Sequence, residues 1–150
     1  MAPQVVLITG GSRGIGAATA LLAAGQGYAV GVNYRHDEAA AASVVAQIAA
    51  AGGRAVALQA DVSDEAEVVA MFQRMDEALG PVTALVNNAG ILETQMRVDA
   101  MDAARIGRIL ATNVIGTLLC CREALRRMSI RHGGHGGAIV NVSSVSAKTG

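Results

Sequence analysis

The sequence predicts a doubly wound α/β domain, a parallel sheet of strand order 3-2-1-4-5 wrapped by helices on both faces. Three observations lead there. Short apolar runs alternate with longer stretches of helical period, five times over. The short runs are apolar throughout, as strands covered on both sides must be. The densest glycine cluster falls between the first run and the first helical stretch. Right-handed crossovers then fix the strand order.

The elements follow in turn. Val5-Val6-Leu7-Ile8 is a strand closed by glycines. A helix from about Ile15 carries Ile15, Ala18, Thr19 and Leu22 on one face and ends at Gly25 or Gly27. Ala29 to Tyr34 is the second strand. From Glu38 the residues Ala41, Val44, Val45 and Ile48 recur at helical spacing, and Gly52-Gly53 stops that helix. Arg54 to Gln59 is the third strand. Ser63 is the expected cap of the next helix, with Asp64, Glu65 and Glu67 at its positive end. Its buried stripe is Val68, Met71, Phe72, Met75 and Leu79, and Gly80-Pro81 ends it. Val82 to Val86 is the fourth strand. A long helical region over 99–131 places Val114, Leu118, Cys121, Leu125 and Met128 on one face, with arginines near its end. After a glycine loop, Ala138 to Val142 is the fifth strand.

The chain has 150 residues, 52% of them apolar and 16% charged, a balance that suits one folded domain and argues against disorder. With 2% aromatic residues and no Trp, the core must be built from aliphatic side chains and Met. Twelve basic and twelve acidic residues cancel, so no electrostatic footprint for nucleic acid or an anionic membrane is expected. No run approaches the ~18 uninterrupted apolar residues of a spanning helix. Met1-Ala2-Pro3-Gln4 lacks the basic flank of a signal peptide. Adjacent Cys120 and Cys121 read as reduced thiols in a cytoplasmic protein. No metal site is assigned.

The glycine turn, Thr9-Gly10-Gly11-Ser12-Arg13-Gly14-Ile15-Gly16, is the first feature that carries chemistry. Glycines permit positive φ and close approach of a ligand, and the helix start behind them offers unpaired N–H groups to a pyrophosphate. By itself the cluster fits a plain strand–helix turn equally well. A P-loop is ruled out because Ala17-Ala18 follows Gly16 where Lys-Ser/Thr is required, and the G-x-G-x-x-G spacing is absent.

The turn resembles the cofactor turn of the short-chain dehydrogenases/reductases, and three further motifs agree in order. Asp61-Val62 ends the third strand, Asn87-Asn88-Ala89-Gly90 follows the fourth, and Asn113 with Ser144 complete the set. The resemblance implies a Rossmann-type NAD(P)-binding domain over residues 1–150 and hydride transfer between a nicotinamide cofactor and a carbonyl or alcohol substrate. Gly10, Ser12, Arg13, Gly14, Ile15 and Gly16 would cradle the phosphates. Asp61 and Val62 would face adenine, Asn87, Ala89 and Gly90 the ribose, Asn113 would hold a relay water, and Ser144 would bond the substrate carbonyl. At the end of the second strand Tyr34 stands where an acid would mark NAD. Arg35 and Arg13 can clamp a 2′-phosphate, which favours NADP, with Asp37 slightly late to serve as the ribose acid.

The resemblance also implies a Tyr-x-x-x-Lys about a dozen residues after Ser144, and the sequence stops at Gly150. Tyr28 and Tyr34 lie at the far end, Lys148 is too early, and His36, His132 and His135 stand elsewhere. The expectation is therefore an incomplete domain, inactive alone and a homo-oligomer when full length. The alternative is a short dinucleotide binder without catalysis. The substrate is not legible.

Overall fold

A computed structural model describes residues 4–149; the reading of Met1-Ala2-Pro3 lies outside them. The elements are β1 (Val5–Ile8), α1 (Gly14–Gly25), β2 (Ala29–Tyr34), α2 (Glu38–Ala50), β3 (Ala55–Gln59), α3 (Glu65–Leu79), β4 (Ala84–Asn87), α4 (Ala103–Leu110), α5 (Thr117–Met128), β5 (Ala138–Asn141) and α6 (Ser146–Thr149). All strand pairs are parallel and the order is β3-β2-β1-β4-β5, as the sequence predicts.

Two cores lie on opposite faces of the sheet. Val6, Ile8, Val30 and Val32 pack with Ala20 of α1 and Ala41, Val44 and Ile48 of α2. Val5, Leu7, Leu58 and Leu85 pack with the predicted α3 stripe and with Cys120, Ala124 and Met128 of α5. Gly31 admits the Met75 thioether against β2, where any Cβ would collide with it. Desolvation and the neighbouring Cys121 and Glu123 push the Cys120 thiol up to about 12, so it stays protonated and inert.

α5 is tied to α3 by charge. The buried Glu123 carboxylate accepts from Arg122, Arg126 and Arg127, and Arg127 reaches on to Asp76 at 2.7 Å while its guanidinium lies over the Phe72 ring. A buried carboxylate is tolerated when it is ion-paired and hydrogen-bonded in this way.

Several expectations are corrected. The predicted α1 face is turned to water: Ile15 and Leu22 are exposed, and the small residues Gly16 and Ala20 make the contact. Small residues let the helix sit close to the sheet, which outweighs the bulk on the other face. The long helix differs likewise. Of its predicted face Met128 is buried and Cys121 packs on the core, but Val114, Leu118 and Leu125 are exposed, and the buried side runs Thr112, Gly116, Cys120, Glu123, Ala124 and Met128. One cause is a π-helical turn at Ala111–Gly116, which rotates the helix faces before and after it. The region 99–131 is also interrupted, by a 3₁₀ turn at Val98–Ala100 and a start at Ala103. The α3 cap is Asp64, which accepts from Glu67 N, and Ser63 is drawn off to Asp61 instead. Double coverage holds for β1 and β2 but not for β5, where Val140 is 54% exposed. Among the described residues one continuous helix, Ala103–Met128, is long and apolar enough to cross a membrane by length and composition, although charged residues interrupt its apolar runs.

Candidate functional site

The carboxyl ends of β1, β2, β3 and β4 open onto one groove of about 470 Å³. That is the place where a doubly wound sheet binds ligands. Its wall is made by Gly10, Ser12, Arg13, Gly14, Ile15, Tyr34, Arg35, Asp61, Val62, Ala89 and Gly90, all predicted from sequence. Gly16, Asn87, Asn113 and Ser144 do not line it.

The glycine turn begins with Gly10 at φ +61° and enters α1 through Gly14 at φ +54°, left-handed conformations that suit glycine. The main-chain N–H groups of Ser12 to Gly16 find no protein acceptor among the described residues. A Cβ on Gly14 would meet nothing within 4 Å, so there is room for a ligand above the turn. Unpaired donors, the positive helix end and open space together fit a phosphate-bearing dinucleotide. Gly16 lies beneath the turn. A Cβ there would run into the Gly10 carbonyl and, at 2.6 Å, the Asn88 amide nitrogen.

Thr9 and Asn88 lock the turn to β4. The Thr9 hydroxyl accepts from the N–H groups of Asn88 and Ala89, both at 3.0 Å. Asn88 Nδ2 donates to the carbonyls of Thr9 and Gly10 at 3.1 and 3.0 Å. Of the two adjacent amides, then, Asn88 secures the loops. Asn87 points away from the groove and donates to Asn141 Oδ1 at 2.9 Å and to the Cys121 sulfur at 3.2 Å.

At the other end, Asp61 is held on every side. Its Oδ1 accepts from the Ser63 hydroxyl at 2.6 Å and the Ser63 amide at 2.9 Å, and its Oδ2 pairs with Arg35 Nε at 2.8 Å. Burial raises the Asp61 pKa, but the Ser63 bonds and the Arg35 and His36 side chains outweigh it and hold the carboxyl below its usual value. The group is therefore ionised at neutral pH, and the Arg35 contact it stabilises is lost only as pH falls through that lowered value. Arg13 stands exposed at the start of α1 with its side chain making no cap bond. Asp37 is occupied as the α2 cap, accepting from Ala40 N at 2.9 Å. The Tyr34 ring is packed in the core.

Asn113 sits in the π-helical turn, and its side-chain amide is paired with the Ile91 main chain on both sides. Oδ1 accepts from Ile91 N at 2.8 Å and Nδ2 donates to Ile91 O at 3.0 Å. The amide thus grips the segment that leaves Gly90, and Gly116 of the same turn packs closely on Val62. Ser144 lies exposed just past β5, its hydroxyl accepting from Ser146 N at 3.2 Å. His36 lines the groove, whereas His132 and His135 flank the loop before β5. Sequence reading did not assign a role to Asn33, Thr9 or Thr112. A buried Asn in a strand of valines, poorly suited to a sheet, was the available signal for Asn33.

Fold and groove together define a Rossmann-like α/β domain with an open groove at the carboxyl ends of its strands. The sequence model for short chain dehydrogenases matches residues 4–150, and the chain belongs to the short-chain dehydrogenase/reductase family. It is 58% identical over 146 residues to the uncharacterized oxidoreductase YgfF of Escherichia coli, covering 97% of this chain and 59% of that protein. It is 40% identical over 147 residues to the L-rhamnose 1-dehydrogenase (NAD(P)(+)) of a Sphingomonas strain, covering 98% of this chain and 57% of that one. A solved dehydrogenase/reductase from Sinorhizobium meliloti superposes with a TM-score of 0.89 at 36% identity, over 99% of this chain and 56% of the other. The chain thus spans under three-fifths of the length of these relatives.

Proposed function

We propose that the chain forms the cofactor-binding part of an NADP-preferring oxidoreductase that interconverts a carbonyl and an alcohol on a small molecule. The observation that carries the reading is the groove itself: free N–H groups at the start of α1 in one wall, with Arg13 and Arg35 also lining it. In this reading Ser12 to Gly16 bind the pyrophosphate through main-chain donors. Arg13 and Arg35 take the 2′-phosphate, for which a planar guanidinium is well shaped. Asp61 and Val62 flank adenine, and Ala89 and Gly90 border the ribose, with Asn87 supporting them from behind. A nicotinamide cofactor supplies or accepts the hydride when bound.

Toward the substrate, Ser144 donates its hydroxyl proton as a hydrogen bond to the carbonyl oxygen. Asn113 has no titratable proton near neutral pH, and its amide is bonded to the Ile91 main chain. It contributes by fixing the segment after Gly90, beside the relay-water role that the family resemblance implies for it. Its carbonyl also accepts from the Thr117 hydroxyl at 3.0 Å.

Cofactor titration tests the reading. Arg35→Asp removes a charge-assisted partner of the 2′-phosphate and sets a like charge in its place. NADP affinity is expected to fall by about 10- to 100-fold while NAD affinity is held or improved. A wild-type protein that prefers NAD strongly overturns the NADP assignment, and one that binds neither overturns the cofactor reading.

A further inference from the structure

Asn33 is a buried amide in the middle of an apolar strand, only 2% exposed. An aliphatic residue would fill the same space, as Val30 and Val32 do on the same strand. The amide instead makes three long-range bonds in two directions. Its Oδ1 accepts from Gly10 N at 3.1 Å, in the phosphate turn. Its Nδ2 donates to the carbonyls of Ala60 at 3.0 Å and Leu58 at 3.2 Å, with a longer contact to Tyr34 O. The main chain repeats the link, since Asn33 O accepts from Gly11 N at 2.7 Å. The amide orientation is forced: reversed, its oxygen would face three carbonyls.

Gly10 and Ala60 belong to separate strand ends that do not adjoin, because β2 lies between β1 and β3. Gly10 opens the turn whose later N–H groups are free, and Ala60 immediately precedes Asp61. We propose that Asn33 is a positioning residue for the cofactor: its amide fixes the spacing between the phosphate turn and the Ala60–Val62 strand end. A ligand that reaches both then meets them already in register. The proposal rests on the dinucleotide reading above. Fixed spacing helps only a ligand that touches both places, because pre-organisation acts on the cost of ordering two contacts at once.

The test compares a spanning ligand with a half-length one. ADP-ribose reaches both the turn and the strand end, while adenosine occupies only the latter. Dissociation constants are measured for the wild-type protein, Asn33→Ala and Asn33→Thr, by calorimetry for ADP-ribose and ligand-observed NMR for adenosine. The Thr variant is included because a β-branched residue suits a strand and fills space that Ala leaves empty; its single hydroxyl cannot bridge both partners. ADP-ribose affinity is expected to drop about tenfold in each folded variant, with adenosine affinity changed less than about twofold. Equal losses for both ligands, or no loss for ADP-ribose, would overturn the positioning role and leave the dinucleotide reading standing. A wild-type protein that binds neither ligand overturns that reading, and this proposal with it.

Discussion

Gly16→Ala is expected to cost the protein both stability and cofactor binding. The added methyl has no free direction: the Gly10 carbonyl and the Asn88 amide already occupy its place. To admit it, α1 must back away from the turn, breaking the Asn88–Gly10 bond that ties β4 to β1. Overpacking of this kind costs about 1–3 kcal/mol, and loss of the partly buried hydrogen bond adds about 1 kcal/mol. The melting temperature should fall by about 5–15 °C, and the affinity for ADP-ribose by about 100-fold or more, because the donors of the turn no longer converge. Gly14→Val is the informative partner. Its side chain meets no protein atom but enters the groove from a left-handed backbone. It should lose dinucleotide binding with most of the fold intact, apart from about 1–2 kcal/mol of backbone strain. Thermal melting and ligand titration on both variants check the pair. Unchanged affinity in a folded Gly14→Val protein would reduce the turn to a structural role.

In the full-length protein, which would carry the Tyr-x-x-x-Lys that the family resemblance implies, Ser144→Ala is expected to act on turnover and not on binding. Ser144 is outside the groove, so removing its hydroxyl leaves the cofactor contacts alone. A donor aimed at an oxygen that gains negative charge during reaction contributes about 10²- to 10³-fold to kcat. NAD(P)H consumption on a panel of ketones, aldehydes and sugars, with cofactor affinity measured in parallel, separates the two effects. A Ser144→Ala enzyme with full turnover would remove the residue from the chemistry. Ser143, its neighbour, is then the next residue to substitute.

The comparison of sequence and structure divides along the kind of signal each residue sends. Strand order, the α2 and α3 faces and the groove residues from Gly10 to Gly90 were legible, because strand length, helical period and glycine placement act locally. The α1 face follows size rather than hydrophobicity: a helix that must approach Gly10 closely presents Gly16 and Ala20 to the sheet and leaves Ile15 and Leu22 outside. The α5 face was misread because a π-helical turn shifts the period by part of a turn, and no residue type announces it. The Arg35–Asp61 pair and the Asn33 bridge were invisible for another reason. Each joins strand ends that only the sheet order brings together.

The strand order also sets the order in which the molecule can be built. β1 is made first and lies in the middle of the sheet, yet only its β2 side finds a partner early. Its other edge waits for β4, with the first anchoring bond, Val5 N to the Thr83 hydroxyl, spanning 78 residues. A chain emerging from the ribosome can therefore close β1, β2 and β3 with α1 and α2 as a half-sheet, while the apolar edge of β1 stays unpaired until the fourth strand has been synthesised. Contacts of such long sequence separation form slowly, and an unpaired apolar edge invites pairing with a second nascent chain. Slower translation through residues 60–84 would lengthen that exposure, and it is over this stretch that yield should respond most to synthesis rate and to chaperones.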